Sequence, residues 1–256
     1  MAKTSIEWCD WTINCFWGCR NGCSYCAARS IARRFGRSIG TKRGYSPEVI
    51  GKMANFEPVF LGDQLLKIVT LKKPTRIFMS FMGEPFCKEF EPHMQMTLDY
   101  IKQFPQHTIM MLTKQPQNLA KWSPFPDNCF IGVSATNAKM AEEAGFWLWE
   151  IKAKVKFISF EPLLESIPVH FSDYLSDDVQ GISWVILGQQ TPIRKATMPR
   201  ISWIQEIVEA ADKAGVRVFL KDNLDKLLHH RWQDNVWGKL FRNEEESLRQ
   251  EFPLTK

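Results

Sequence analysis

Arg76-Ile77-Phe78-Met79-Ser80-Phe81 is a six-residue, mostly apolar run, too short for a helix, and the turn-like Met82-Gly83-Glu84-Pro85 follows it, so it reads as a buried strand. Five runs of the same kind lie downstream, at Thr108–Leu112, Cys129–Val133, Lys156–Phe160, Ser183–Leu187 and Val216–Leu220, and Trp11-Thr12-Ile13-Asn14 lies upstream. Between them apolar residues recur at helical spacing: Met94, Leu98 and Ile101, then Met140, Ala144, Leu148 and Ile151, then Ile204, Ile207, Val208 and Ala211. Strands alternating with helices argue for parallel strands joined by right-handed crossovers, in an open doubly wound sheet or a barrel. Seven candidate strands favour the second, so the expected fold is α/β, a partial or full TIM-like (β/α) barrel.

Working outward, a helix is expected near Tyr25 to Phe35, with Gly36 stopping it. The segment from Gly36 to Glu57 holds Gly40, Gly44, Gly51 and the Lys42-Arg43 pair without periodicity, and reads as an inserted loop or mobile excursion. The tail from Asp222 to Lys256, with Trp232, Trp237 and Phe241 among charges, reads as a helical cap, giving a barrel domain over 1–221 and a cap over 222–256. A length of 256 residues suits one barrel or two small domains equally.

The balance of 33 basic against 28 acidic residues gives a net charge of +5, compatible with an anionic partner but far from the charge blocks of a nucleic-acid arm. No stretch approaches the ~18 consecutive apolar residues of a membrane span. The opening Met1-Ala2-Lys3-Thr4-Ser5-Ile6-Glu7 has no apolar core of a secretory signal, so a cytoplasmic protein with reduced thiols is expected.

Of the seven cysteines, Cys9, Cys15, Cys19, Cys23 and Cys26 crowd the first 26 residues, while Cys87 and Cys129 are isolated. Cys19, Cys23 and Cys26 are spaced C-x3-C-x2-C in a loop with Gly18 and Gly22, so one compact segment can offer three thiolates to one metal centre. Three cysteines leave one iron of a 4Fe-4S cubane without a protein ligand, open to a substrate or cofactor. A zinc knuckle that adds Cys15 is the competing reading, but structural zinc sites usually bring two pairs together across a longer segment. Packed, inert thiols are the third reading, and the flanking glycines and polar residues weigh against it. Cys9 and Cys15 remain open between spare thiol, core residue and ligand.

At these residues the chain resembles the radical S-adenosylmethionine (SAM) superfamily, whose signature is C-x3-C-x-aromatic-C, with Tyr25 as the aromatic. Gly18 to Arg29 looks most like the branch that holds spore photoproduct lyase relatives and a phage-associated radical-SAM-like family. The second resemblance spans most of the chain, including Ile6-Glu7-Trp8, Leu112-Thr113-Lys114, Phe160-Glu161-Pro162-Leu163-Leu164 and Trp184-Val185-Ile186-Leu187-Gly188. It implies a barrel of the radical SAM type in which Cys19, Cys23 and Cys26 hold a 4Fe-4S cluster. The implied reaction is reductive cleavage of SAM to a 5′-deoxyadenosyl radical that acts on a substrate it does not name. An external electron donor such as a flavodoxin or ferredoxin is implied as well. Repair or modification of a nucleic acid or nucleotide by the same chemistry is the alternative, and a non-enzymatic zinc or iron–sulfur binding protein is a further one.

The resemblance also places Gly83 and Glu84 at the turn that meets the SAM amino group, with Met82 where the family has a first glycine, and sets Tyr25 near the adenine. Ser134 and Glu161 each follow a candidate strand, where they serve the cofactor or, equally, act as a helix N-cap and a surface ion pair. Gly188 closes a strand where the family lets adenine approach the backbone, although Gln189-Gln190-Thr191 replaces its acidic residue. Lys114 reads as a solvated lysine. Arg29, Arg33, Arg34 and Arg37 form a basic cluster on or after the first helix that reads as a solvated face.

Overall fold

The computed structural model describes residues 1–176, 178, 180–229, 240 and 247–253. Its elements in chain order are β1 (Ala2–Lys3), β2 (Trp11–Ile13), β3 (Phe16–Trp17), α1 (Ala27–Lys42), α2 (Pro47–Asn55), β4 (Val59–Phe60), α3 (Gly62–Leu65), β5 (Arg76–Met79), α4 (Glu91–Ile101) and β6 (Thr108–Thr113). There follow β7 (Cys129–Ser134), α5 (Ala138–Trp149), β8 (Val155–Phe160), β9 (Trp184–Leu187), α6 (Ile201–Lys213), β10 (Arg217–Leu220) and α7 (Asp225–His229). The architecture is α/β with an eight-stranded, mostly parallel sheet. The chain divides into two compact units, Met1–Phe130 and Ile131–Lys256. No helix among the described residues is long and apolar enough to cross a membrane.

In the first unit β2, β5 and β6 pair in parallel, with Ile13 opposite Met79 and Met79 opposite Met111, and β1 adds an antiparallel edge. Buried Ile77, Phe78 and Met79 in β5, and Ile109, Met110 and Met111 in β6, face both sides of the sheet and explain why near-continuous apolar runs mark these strands, since a parallel sheet is covered on both faces. Strand β5 stops at Met79 rather than Phe81 because Ser80 has φ 70, a left-handed conformation that cannot continue a strand. A two-stranded ribbon of β3 and β4 was not expected from the sequence.

The stretch read as an inserted loop, 36–57, is a packed helical hairpin instead. Helix α1 runs through Gly36 and Gly40 to Lys42, and α2 fills Pro47–Asn55. Gly36 therefore does not end the helix; it lets another backbone approach. A Cβ there would lie 2.7 Å from the Met53 carbonyl oxygen and 2.9 Å from the Ala54 Cα. Ala28, Ala32, Gly36 and Gly40 form the buried stripe of α1, and small residues at this spacing carry too little hydrophobic signal to be read as periodicity. Met53, Phe56, Trp17, Leu61 and Met82 complete the core beneath them, and Cys19 and Cys26 pack on it.

In the second unit β8, β9 and β10 pair in parallel, with Phe157 opposite Trp184 and Trp184 opposite Arg217. Helix α6 buries Ile204, Ile207, Val208 and Ala211, the apolar positions expected of it. Of the expected cap over 222–256, a short turn and α7 are seen at 222–229, while Trp232, Trp237 and Phe241 lie outside the described residues.

Gly36→Ala should lower the unfolding free energy by about 1–3 kcal/mol, the usual cost of overpacking, because its methyl meets backbone rather than a movable side chain. Urea denaturation measures this, and an unchanged midpoint would show that α1 and α2 can part without loss.

Candidate functional site

The cysteine loop runs from β3 into α1. Gly18 has φ 96, and a Cβ there would overlap the Glu57 carbonyl group, so only glycine permits this path. Gly83 is tied to it: the two residues form a parallel bridge, with Gly18 N donating to Met82 O at 2.8 Å and Glu84 N donating to Gly18 O at 3.1 Å. A Cβ on Gly83 would overlap the Phe16 carbonyl oxygen. The turn Met82-Gly83-Glu84-Pro85 is thus fastened to the cysteine loop by backbone contact, a reason for glycine at 83 that needs no ligand.

Cys19, Cys23 and Cys26 are half-buried, whereas Cys9, Cys15, Cys87 and Cys129 are buried. Cys26 is the N-cap of α1, and its sulfur accepts from Arg29 N at 3.3 Å; Cys19 sulfur accepts from Asn21 N at 3.3 Å. Backbone N–H groups aimed at sulfur stabilise a thiolate and tune a metal bound to it. Burial nonetheless pushes the Cys19 thiol up to about 11, and pushes Cys15 up to about 12. Among the described residues no group of three or more His, Cys, Asp or Glu side chains forms a ligand set for one metal ion. The donor set is three half-buried cysteines, two of whose sulfurs already accept backbone N–H bonds.

Glu84 is only 4 % exposed, and its carboxylate accepts from Thr113, Lys114, Asn21 and the Phe86 backbone. Oε1 accepts from Thr113 Oγ1 at 2.5 Å, and Oε2 accepts from Lys114 N at 2.8 Å and Asn21 Nδ2 at 3.1 Å. Burial holds the carboxyl above its ordinary range, opposed by those hydrogen bonds. The network continues through Gln115, which donates to Asn21 Oδ1 at 2.7 Å, and Asn118, which donates to Gln115 Oε1 at 3.0 Å and Phe86 O at 2.9 Å. Nothing in the sequence marks Asn21, Thr113, Gln115 and Asn118 as a group, because Asn21 in the cysteine loop and the three residues at and after the end of β6 are far apart in the chain and share no periodicity. Lys114, expected to be solvated, is half-buried with Nζ 5.7 Å from the centroid of the Tyr25 ring.

In the second unit Glu161, Gly188 and Lys221 directly follow β8, β9 and β10, so they share the C-terminal end of three adjacent parallel strands. Lys221 Nζ donates to Glu161 Oε1. A Cβ on Gly188 would lie 3.0 Å from Lys221 Cδ and 3.3 Å from Glu161 Cγ, so the bare glycine gives that pair room. Ser134 ends β7 and is buried; the N-cap of α5 is Asn137, not Ser134, with its side chain accepting from Met140 N at 2.9 Å.

The family model described as "Protein of unknown function (DUF5131)" matches residues 3–245. No curated protein and no solved structure matches the chain.

Glu84→Gln replaces one accepting carboxylate oxygen by an N–H₂ donor facing the donors of this network, so it should lower stability by about 1–3 kcal/mol, the cost of a buried unsatisfied polar group. Chemical denaturation measures the loss. An unchanged midpoint, with weakened SAM binding alone, would show that Glu84 serves a ligand and not the loop.

Proposed function

The chain belongs to the DUF5131 family, a description that assigns no activity, and on its site alone we propose that it is a radical SAM enzyme on a partial or full (β/α) barrel. In this reading Cys19, Cys23 and Cys26 hold a 4Fe-4S cluster. The observation that carries it is selective access: the three cysteines of the C-x3-C-x2-C motif are the half-buried ones, and the four outside it are buried. Inert packing thiols would show no such division.

Held by Cys19, Cys23 and Cys26, such a cluster would supply one-electron reductive cleavage of the SAM sulfonium. The chain's own residues bind and orient. Asn21 N and Arg29 N stabilise the charge on the Cys19 and Cys26 sulfurs. Glu84 fixes the loop through Asn21, and Gly83 keeps the adjoining turn close to it. The Tyr25 ring, beside Lys114, offers a flat face to an adenine. Ser134, Glu161 and Gly188 are candidate cofactor contacts within the second unit, to be tested singly by SAM affinity. The electron comes from an external donor of the flavodoxin or ferredoxin type, and the setting is the reducing cytoplasm.

Anaerobic reconstitution with iron and sulfide, then reduction with SAM present, should release 5′-deoxyadenosine. Cys19→Ala, Cys23→Ala and Cys26→Ala should each abolish it and lose iron. Buried Cys87 and Cys129 should be replaceable by Ala without loss of iron. Iron uptake that survives the motif substitutions would overturn the assignment.

A further inference from the structure

Helix α1 has two faces of opposite character. Its small-residue stripe is buried, which leaves Arg29, Arg33 and Arg37, four residues apart, along another side. Next to the cysteine loop this side opens into a cleft of about 260 Å³, with Cys19, Arg20, Arg29 and Arg33 facing Phe56 and Glu57.

The walls are fixed by the fold. Cys19 N donates to Phe56 O at 3.2 Å, and Glu57 N donates to Lys52 O at 2.9 Å. Phe56 caps α2 in a left-handed conformation, φ 61, and its ring centroid lies 5.8 Å from the Arg29 guanidinium carbon. That contact holds Arg29 in place before any ligand arrives.

The charge balance of the cleft is positive. Arg20 is engaged by Glu89 at 2.5 Å, and Glu57, which keeps its charge while accepting from neutral Asn55 Nδ2 at 3.2 Å, is outnumbered by Arg29 and Arg33. Neither Arg29 nor Arg33 has a carboxylate partner among the described residues. Two guanidinium groups one helical turn apart, one braced by an aromatic ring, suit the several oxygens of a phosphoryl group better than a single carboxylate. The cleft is smaller than the roughly 300–1,000 Å³ of a drug-sized ligand site, so it takes a phosphoryl group and a short attached fragment.

We propose that Arg29 and Arg33 bind a phosphoryl group in the cleft beside Cys19, and that the substrate of this protein is phosphate-bearing. That the ligand is the substrate rests on the radical SAM reading; that the cleft binds phosphate does not.

Calorimetric titration of the full chain with inorganic phosphate, a nucleoside 5′-monophosphate and a short single-stranded oligonucleotide, at low and about 150 mM salt, tests this. Saturable binding is expected for at least one probe. Arg29→Gln and Arg33→Gln should each weaken it roughly ten-fold, and Arg34→Gln, whose guanidinium lies over Phe35, should change it by less than about two-fold. Equal affinity for nucleotide and oligonucleotide identifies a small phosphorylated substrate. Tighter oligonucleotide binding, with a salt slope reduced by about one for each arginine removed, identifies a polymer. Cys23→Ala, which leaves the cleft walls intact, should retain phosphate affinity while losing iron, so failure of the metal centre and failure of the cleft read out separately. No saturable binding of any probe, or an Arg34→Gln loss as large as that of Arg33→Gln, overturns the proposal.

Discussion

A carboxylate as buried as Glu84 is unfavourable unless donors replace the water it has lost, and the donors it finds beyond its own segment come from two distant parts of the first unit. Asn21 belongs to the cysteine loop; Thr113 and Lys114 belong to the end of β6. Satisfying the charge therefore fixes the position of the loop against the sheet. The paired glycines at 18 and 83 add a backbone contact on the same line, where side chains would clash. Together these contacts anchor the cysteine loop at Gly18 and Asn21, on either side of half-buried Cys19.

The helical hairpin of α1 and α2 depends on the same corner. The close approach at Gly36 brings Met53 beneath the loop, where its carbonyl oxygen accepts from Trp17 Nε1 at 3.0 Å. The left-handed turn at Phe56 then returns the chain to Cys19. Small residues on one side of α1 thus have a consequence on another, since they orient Arg29 and Arg33 into the cleft beside the loop.

The strands of the sheet were legible because parallel strands covered on both faces appear as unbroken apolar runs, and each expected run from Arg76 onward matches an observed strand to within two residues at either end. The hairpin was not legible, since a stripe of Ala and Gly has almost no hydrophobic contrast and glycine ordinarily marks a helix end. The cysteine spacing announced a candidate site, yet its support was hidden. Nothing in the sequence joins Asn21 to Gln115, which are 94 positions apart. Glu84 was visible as a residue of interest, but its burial and its internal donors emerge only from the fold. Gly188 was visible as well, while the Lys221–Glu161 pair that it accommodates depends on three strands lying side by side.

The central claim is that Cys19, Cys23 and Cys26, held in place by Glu84 and Asn21, carry a cluster with one iron open to SAM. Electron paramagnetic resonance of the anaerobically reconstituted, reduced protein, recorded before and after addition of SAM, tests it most directly. The account predicts a reduced 4Fe-4S signal whose g values shift when SAM binds. Stoichiometric zinc with no iron, or a cluster signal indifferent to SAM, would contradict it.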